Sequence, residues 1–278
     1  MSPSQGGLGA QPPGKRGGWE GILKILFLSH APRNPRRNGN EHVQQLLQSY
    51  ASPGTEVVFD SVDDFEGGHV FRAMGEQSIL TGLTHAMATP AIIRKTVWAQ
   101  DNGYDAVIQS NTFDPGVEAG RTAVRIPVIG VMKCTLHAAM TLCDRIAITV
   151  PLPGHVPYTR RILRSYGMEH FVTDVRSVGV YGEVVDKQEL YNAALATMQG
   201  LVRDTNPEGI IPLGGALIPY IVDPLDLQRE IGVPVFNTKS TSIRFAETCH
   251  ALGLSHSQIT YPTANLVYED FTARAYEA

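Results

Sequence analysis

One order of elements is written twice in this chain. Tyr104–Gly130 reads YDAVIQSNTFDPGVEAGRTAVRIPVIG, and Pro207–Asn237 reads PEGIIPLGGALIPYIVDPLDLQREIGVPVFN. Each runs from an apolar strand through a small-residue turn and a proline to a helix, then to a short Ile-Pro-Val or Val-Pro-Val strand. Upstream, ILFLSHAPRNPRRNG answers IAITVPLPGHVPYTRRILRSYG, and TEVVFDSV answers HFVTDVRSV. Two halves of roughly a hundred residues, an ordinary domain size, therefore carry the same succession of elements.

The elements themselves specify the class. Ile22–Ser29, Glu56–Asp60, Ala106–Ser110, Val128–Val131, Ile146–Val150, Ile210–Leu213 and Val233–Phe236 read as buried strands. Helical patterns lie between them, at Glu41–Tyr50, Ala91–Asn102, Tyr158–Tyr166, Lys187–Asp204 and Asp226–Ile231. Strand–helix alternation predicts an α/β fold with parallel sheets and helices on both faces. Residues 1–20 are rich in Gly, Pro, Ser and Gln without an apolar stretch and read as a floppy tail. Residues 21–127 with 238–278 are expected to form one α/β lobe and residues 128–237 the other.

Bulk properties exclude several functions. The formal net charge is −4 and no dense Lys/Arg stripe occurs, which argues against nucleic acid. No apolar run approaches the ~18 residues of a membrane helix. Cys134, Cys143 and Cys249 form neither a CxxC nor a His-spaced set, so a disulfide framework or structural zinc is not expected and a reducing cytoplasm is the default. Neither GxGxxG nor GxxxxGK[ST] is present, which counts against a nucleotide-binding protein.

In parallel sheets ligands bind beyond the carboxyl ends of the strands, where helix N-termini and bare amides face outward. Two facing lobes would bring four loops together, His30–Gly39, Ser110–Gly116, Pro151–Pro157 and Gly214–Pro219. Such an inter-lobe cleft suits a small anion.

With those loops in view the chain resembles the aspartate/glutamate/hydantoin racemase superfamily over roughly residues 22–254. Family members carry Ala-Cys-Asn-Thr at one strand end and Leu-Gly-Cys-Thr-x-x-Pro at the other. Here the first reads Gln109-Ser110-Asn111-Thr112 and the second Leu213-Gly214-Gly215-Ala216-Leu217-Ile218-Pro219. Asp114-Pro115-Gly116 is similar to the Cys-x-x-Asp-Pro-Gly of the hydantoin branch. Matching Asn-Thr places the first cysteine at Ser110, and counting back from Asp-Pro-Gly places it at Asn111. The resemblance implies two flavodoxin-like lobes related by a pseudo-twofold axis, with no metal or organic cofactor. It also implies a thiol pair that removes and returns a proton beside a carboxylate.

That pair is missing. Gly215 has no side chain, and neither Ser110 nor Asn111 has a suitable pKa. Arylmalonate decarboxylases, a branch of the same superfamily, keep one cysteine opposite a glycine; here that thiol is absent too. Replacement chemistry has several candidates. Lys133, after the strand Val128–Val131, could serve as base or anchor, with a surface lysine as the plain alternative. His30 ends the first strand, and His155 answers it in the other lobe from what reads as a flexible loop. His137 reads as a packing residue one turn into a helix, and Cys134 as a buried, inert thiol. Thr112, Gly214 and Gly215 would present a hydroxyl and amides to an oxyanion. Phe113, Asn34 and Arg33 are further substrate-binding candidates, with Arg36 and Arg37 as possible carboxylate clamps. The loop His69–Thr89 could line or cover the cleft.

The expected function is that of a cofactor-independent enzyme acting on a small carboxylate, cyclic imide or related carbonyl compound through an enolate- or oxyanion-like intermediate. Without thiols a lyase, decarboxylase or hydrolase outcome is expected. A racemase or isomerase with a non-cysteine base, and a non-catalytic small-molecule-binding protein, are the alternatives. A closed homo-oligomer is the default assembly.

Overall fold

The computed structural model describes residues 21–32, 40–68, 81–182, 185–214, 217–264 and 266–271. Strand β1 (Leu23–Pro32) has Ile25, Leu26, Phe27 and Leu28 fully buried. A run apolar on both faces belongs in the middle of a parallel sheet. Accordingly β1 pairs in parallel with β2 (Thr55–Val62) on one side and β3 (Ala106–Gln109) on the other. Strand β4 (Val128–Gly130) adds to β3, giving the order β2-β1-β3-β4.

A second parallel sheet follows the same path. Strand β5 (Ile146–Val150) is central, flanked by β6 (Val172–Ser177) and β7 (Gly209–Pro212). Val235 bridges Ile210 where β4 stands in the first sheet. The internal repeat is thus realised as two α/β lobes with flavodoxin-like strand order.

The helices are α1 (Asn40–Ser49), α2 (Thr81–Asp101), α3 (Val117–Ala123) and α4 (Val131–Met140) in the first half. They are followed by α5 (His155–Ser165), α6 (Lys187–Thr205), α7 (Pro224–Ile231) and α8 (Thr238–Leu252). Two of them cross between lobes. Helix α4 leaves the first sheet, yet its Met132, Leu136 and Ala139 are buried with Ile146, Ile148 and Leu213 of the second. Helix α8 leaves the second, and its Ile243 and Ala246 are buried with Leu23, Ile25 and Phe27 of the first. Each fully buried side chain of this kind contributes about 1.5–3 kcal/mol, so the exchange fastens the lobes to one another.

Four expectations need correction. The lobe boundary at 128 is too early: Val128–Gly130 pairs with β3, and the chain changes lobe only in α4. Val233–Phe236 makes one isolated bridge and no full strand. Within His69–Thr89, residues 69–80 lie outside the described residues, and Thr81–Thr89 is helix, not loop. Burial of Thr84, His85, Ala88, Ala91 and Ile92 outweighs the poor propensity of a Thr/Gly-rich stretch that includes Pro90. His155 starts α5 and is buried, so the loop reading of PLPGHVPY fails there. The tail 1–20 with Arg33, Asn34, Arg36, Arg37 and Gly215 lies outside the described residues.

Candidate active site at the strand tips

The tip of β3 is folded by its own side chains. Gln109 Oε1 accepts the Asn111 amide at 2.7 Å, and Asn111 Oδ1 accepts the Phe113 amide at 2.9 Å. These turns need short polar side chains that can reach the backbone two residues on, which a strand ending Gln-Ser-Asn-Thr supplies. With Oδ1 committed to Phe113, Asn111 Nδ2 donates to His30 Nε2 at 2.9 Å. The two residues predicted at the ends of β1 and β3 are therefore in contact, and the Asn111 amide is occupied at both ends.

Phe113 reaches into the second lobe. It is buried in the same core cluster as Ile148, Val150 and Leu213. Its ring lies 5.7 Å from His85, 5.5 Å from His155 and 5.1 Å from Tyr158, centre to centre. His30 and His85 meet edge to face at 5.6 Å, and His85 Nδ1 is 3.0 Å from the Tyr158 hydroxyl. His155 also faces Tyr181 at 6.2 Å. His85 of α2 and His155 of α5 thus flank one phenylalanine at the junction of the lobes, and His30 of β1 joins the cluster through His85.

Burial sets the charge of this cluster. It lowers His85 to about 4, helped by nearby His155, and lowers His155 to about 4 on its own. His30 is held well below its ordinary value by burial, then by His85 and Lys239. At neutral pH all three rings are uncharged. Imidazoles of such low basicity are poor general bases near pH 7, but each presents an N–H that can support a developing oxyanion. Among the described residues no group of three or more His, Cys, Asp or Glu could hold a metal ion.

The Asp-Pro-Gly turn has a structural part that sequence reasoning missed. Asp114, at φ 52°, directs its buried carboxylate onto the start of α4. Oδ1 accepts the Met132 amide at 2.9 Å, and Oδ2 accepts the Lys133 amide at 2.8 Å. The Tyr166 hydroxyl, from the end of α5 in the other lobe, donates to Oδ2 at 3.0 Å. Burial nevertheless leaves the carboxyl above its ordinary value, because those hydrogen bonds offset only part of the desolvation. Gly130 is obligatory beneath it, since a Cβ there would collide with the carboxylate.

The other predicted residues are placed as follows. The Lys133 ammonium lies 5.1 Å above the Tyr166 ring, on the Asp114 side of the junction. Ser110 is half-buried, and its carbonyl accepts from Lys239 Nζ. Thr112 is only 3% exposed, so its hydroxyl is a core group. Gly214 adopts φ 143°, and a Cβ there would stand 2.7 Å from Pro151 Cγ, which packs the two second-lobe tips against each other. His137 is exposed, with Nδ1 2.8 Å from the Lys133 carbonyl, so the packing role expected of it is wrong: it points off the outer face of α4. Burial pushes the Cys134 thiol up to about 12, in keeping with an inert cysteine.

Sequence reading did not find His85, Tyr158, Tyr220 or Lys239. His85 sat in the stretch read as loop. Lys239 follows Asn237 at the head of α8, just past the segment over which the internal repeat is read, where the other half carries Met132.

This geometry can be set beside known proteins. The Asp/Glu/Hydantoin racemase family model matches residues 41–246, well over half of the chain. A hydantoin racemase from Pseudomonas sp. (strain NS671) is 28% identical over 239 residues, covering 85% of this chain and 90% of its own. Among solved structures, allantoin racemase from Klebsiella pneumoniae superposes with a TM-score of 0.69 at 19% identity, covering 92% of this chain and 98% of its own. Arylmalonate decarboxylase superposes with a TM-score of 0.54 at 15% identity over 81% and 91% of the two chains. The chain belongs to the Asp/Glu/hydantoin racemase family.

Proposed function

We propose that this chain is a cofactor-independent enzyme acting on a small carboxylate or cyclic imide or ureide. In this reading the substrate passes through an enolate- or oxyanion-like intermediate, and the reaction ends as lyase, decarboxylase or hydrolase chemistry. The supporting observation is the state of Asn111, whose amide is fixed between His30 Nε2 and the Phe113 N–H. With an amide at this position, or a serine if Ser110 is the counterpart, and glycine at the other, no thiol pair can pass a proton across the substrate. The tip then acts by holding charge: neutral imidazole N–H groups beside the Asn111 turn stabilise a developing oxyanion. The names of the relatives make hydantoin and allantoin the first compounds to try, and the decarboxylase fold neighbour makes arylmalonate the third.

A racemase or isomerase with a non-cysteine base is the second reading, favoured by the family match and by the hydantoin racemase relative. One experiment separates the readings. Each compound is incubated with the protein in deuterated buffer while NMR follows α-deuteration and products, and polarimetry follows inversion. Ring opening or loss of carbon dioxide without exchange of unreacted substrate supports the first reading. Exchange with inversion overturns it in favour of the second. Binding of all three without turnover overturns both and leaves a binding protein.

A further inference from the structure

Lys239 is the least explicable residue of the chain if the strand tips are mere scaffolding. It is 0% exposed, yet it carries an ammonium. Its Nζ donates to the carbonyl of Ser110, inside the turn that carries the first family cysteine position. The rings of Phe27 on β1 and Tyr220 beyond β7 flank it, each centred 5.7 Å from Nζ. Removing an ammonium from water costs several kcal/mol, and a carbonyl with two aromatic faces offsets only part of it. The surroundings also supply donors without acceptors. The Tyr220 hydroxyl and the adjacent Thr238 Oγ1 are buried and have no hydrogen-bond partner. An ammonium carries three donors, of which Ser110 takes one. A buried lysine with donors to spare, beside the unpartnered Tyr220 side chain and behind one strand tip, forms a donor-rich corner suited to an anion.

We infer that Lys239 is a positioning residue of the strand-tip site and the origin of its selectivity for anionic ligands, fixing the Ser110–Asn111 turn and placing a positive charge behind it. The inference rests on the proposed location of the site at these tips, but not on which reaction occurs there. The ligand class is a small carboxylate, or the ring-opened or ionised form of a cyclic imide. Titratable groups facing Lys239 are His30 from β1, Asp114 from the turn after β3 and Tyr220 from the segment after β7. Asp114 favours the charged lysine and burial disfavours it, the balance being about 7. Charge at this corner therefore drains away as pH rises through neutrality.

The test uses calorimetric titration of the full chain with malonate, hydantoin-5-acetate and uncharged 5-methylhydantoin, from about pH 6 to about pH 8. For the native protein, affinity for both anions should fall about tenfold over that range as one group near 7 deprotonates. Lys239→Met should weaken anion binding about 10- to 100-fold at the acid end and abolish the pH dependence, leaving 5-methylhydantoin unaffected. Lys239→Arg should keep anion binding with a flat profile, because guanidinium stays charged. Lys187→Met, at the exposed start of α6, should behave as native. Anion affinity and pH profile unchanged in Lys239→Met, or no anion bound by the native protein, would overturn the inference. Malonate bound without either hydantoin would preserve it while sinking the cyclic-imide reading. A second measurement needs no ligand: with the lysine charge gone, the His30 ring should titrate at higher pH by NMR, and an unmoved His30 would also overturn the inference.

Discussion

The head of α4 and the head of α8 occupy equivalent places in the repeat, yet they are built by opposite means. Helix α4 begins at Gly130, which has no capping side chain, and borrows the Asp114 carboxylate from the preceding turn. Helix α8 begins at Asn237, which caps itself by accepting the Lys239 amide at 3.0 Å and the Ser240 amide at 3.1 Å. The lysine at the first head stands half-exposed over Tyr166, and the lysine at the second is wholly buried against Ser110. Each head is also a seam between lobes. The first seam carries a carboxylate and neutral imidazoles, and the second carries a cation. One topology thus supports two electrostatic solutions, one assembled from distant residues and one from neighbours.

The contrast is most exposed at Asp114. Asp114→Ala strands two helix-start amides and the Tyr166 hydroxyl in the interior, a loss expected to be about 4 kcal/mol of stability in urea unfolding. Gly130→Ala, which forces a methyl group into the same carboxylate, should cost about 2–3 kcal/mol. A loss under about 1 kcal/mol for Asp114→Ala would mean that the α4 head is held by packing alone.

The histidines on the first seam make the next largest contribution. His85 and His155 have folded-state pKa values of about 4 against an ordinary 6.5. Below 6.5 the unfolded chain binds protons that the folded chain refuses, so stability is complete above that pH and drains as pH falls toward 4. Each ring should withdraw up to roughly 3 kcal/mol by the lower limit. Unfolding followed from about pH 7 to about pH 4.5 should show the decline, and His85→Phe should make it shallower. An unchanged slope in that variant would place the acid sensitivity outside the seam.

At the second seam the sign is the same but the window is different. Lys239 is lowered from 10.5 to about 7, chiefly by burial. Above neutrality the unfolded lysine still binds a proton that the folded one has released, so stability should rise by about 2–3 kcal/mol between about pH 7 and about pH 9. Lys239→Met should flatten this limb and leave the protein more stable at neutral pH; Lys133→Met should change neither. A native limb already flat would mean that the buried amine keeps its proton.

What could be read from sequence follows the same division. Parallel sheets, the doubled order and the placing of His30 and Asn111 at strand ends were legible, because β-branched runs and strand-end turns are local signals. The carboxylate of Asp114 clasping Met132 and Lys133 was not, because nothing near those residues announces a distant cap. His85 was hidden by composition: Thr81–Thr89 becomes helix only when its buried side meets the first sheet. Lys239 was hidden by the habit of reading lysine as surface. The exchange of α4 and α8 between lobes was invisible, since either sheet offers an apolar face and sequence does not say which one a helix covers.

The smallest expected effect tests whether the second helix head is as local as it looks. Asn237→Ala removes one side-chain acceptor from two amides of the first helical turn, so the loss should be about 1 kcal/mol. Asn237→Asp should restore it, because a carboxylate caps as well and opposes the helix dipole favourably. That same substitution would bring an anion close to the Lys239 ammonium and hold its proton more firmly. The rise in stability above neutrality should then shift to higher pH, and the shift can be measured in the unfolding series that characterises Lys239→Met. If Asn237→Ala instead costs as much as Asp114→Ala, the α8 head depends on long-range support after all, and the two seams differ only in charge.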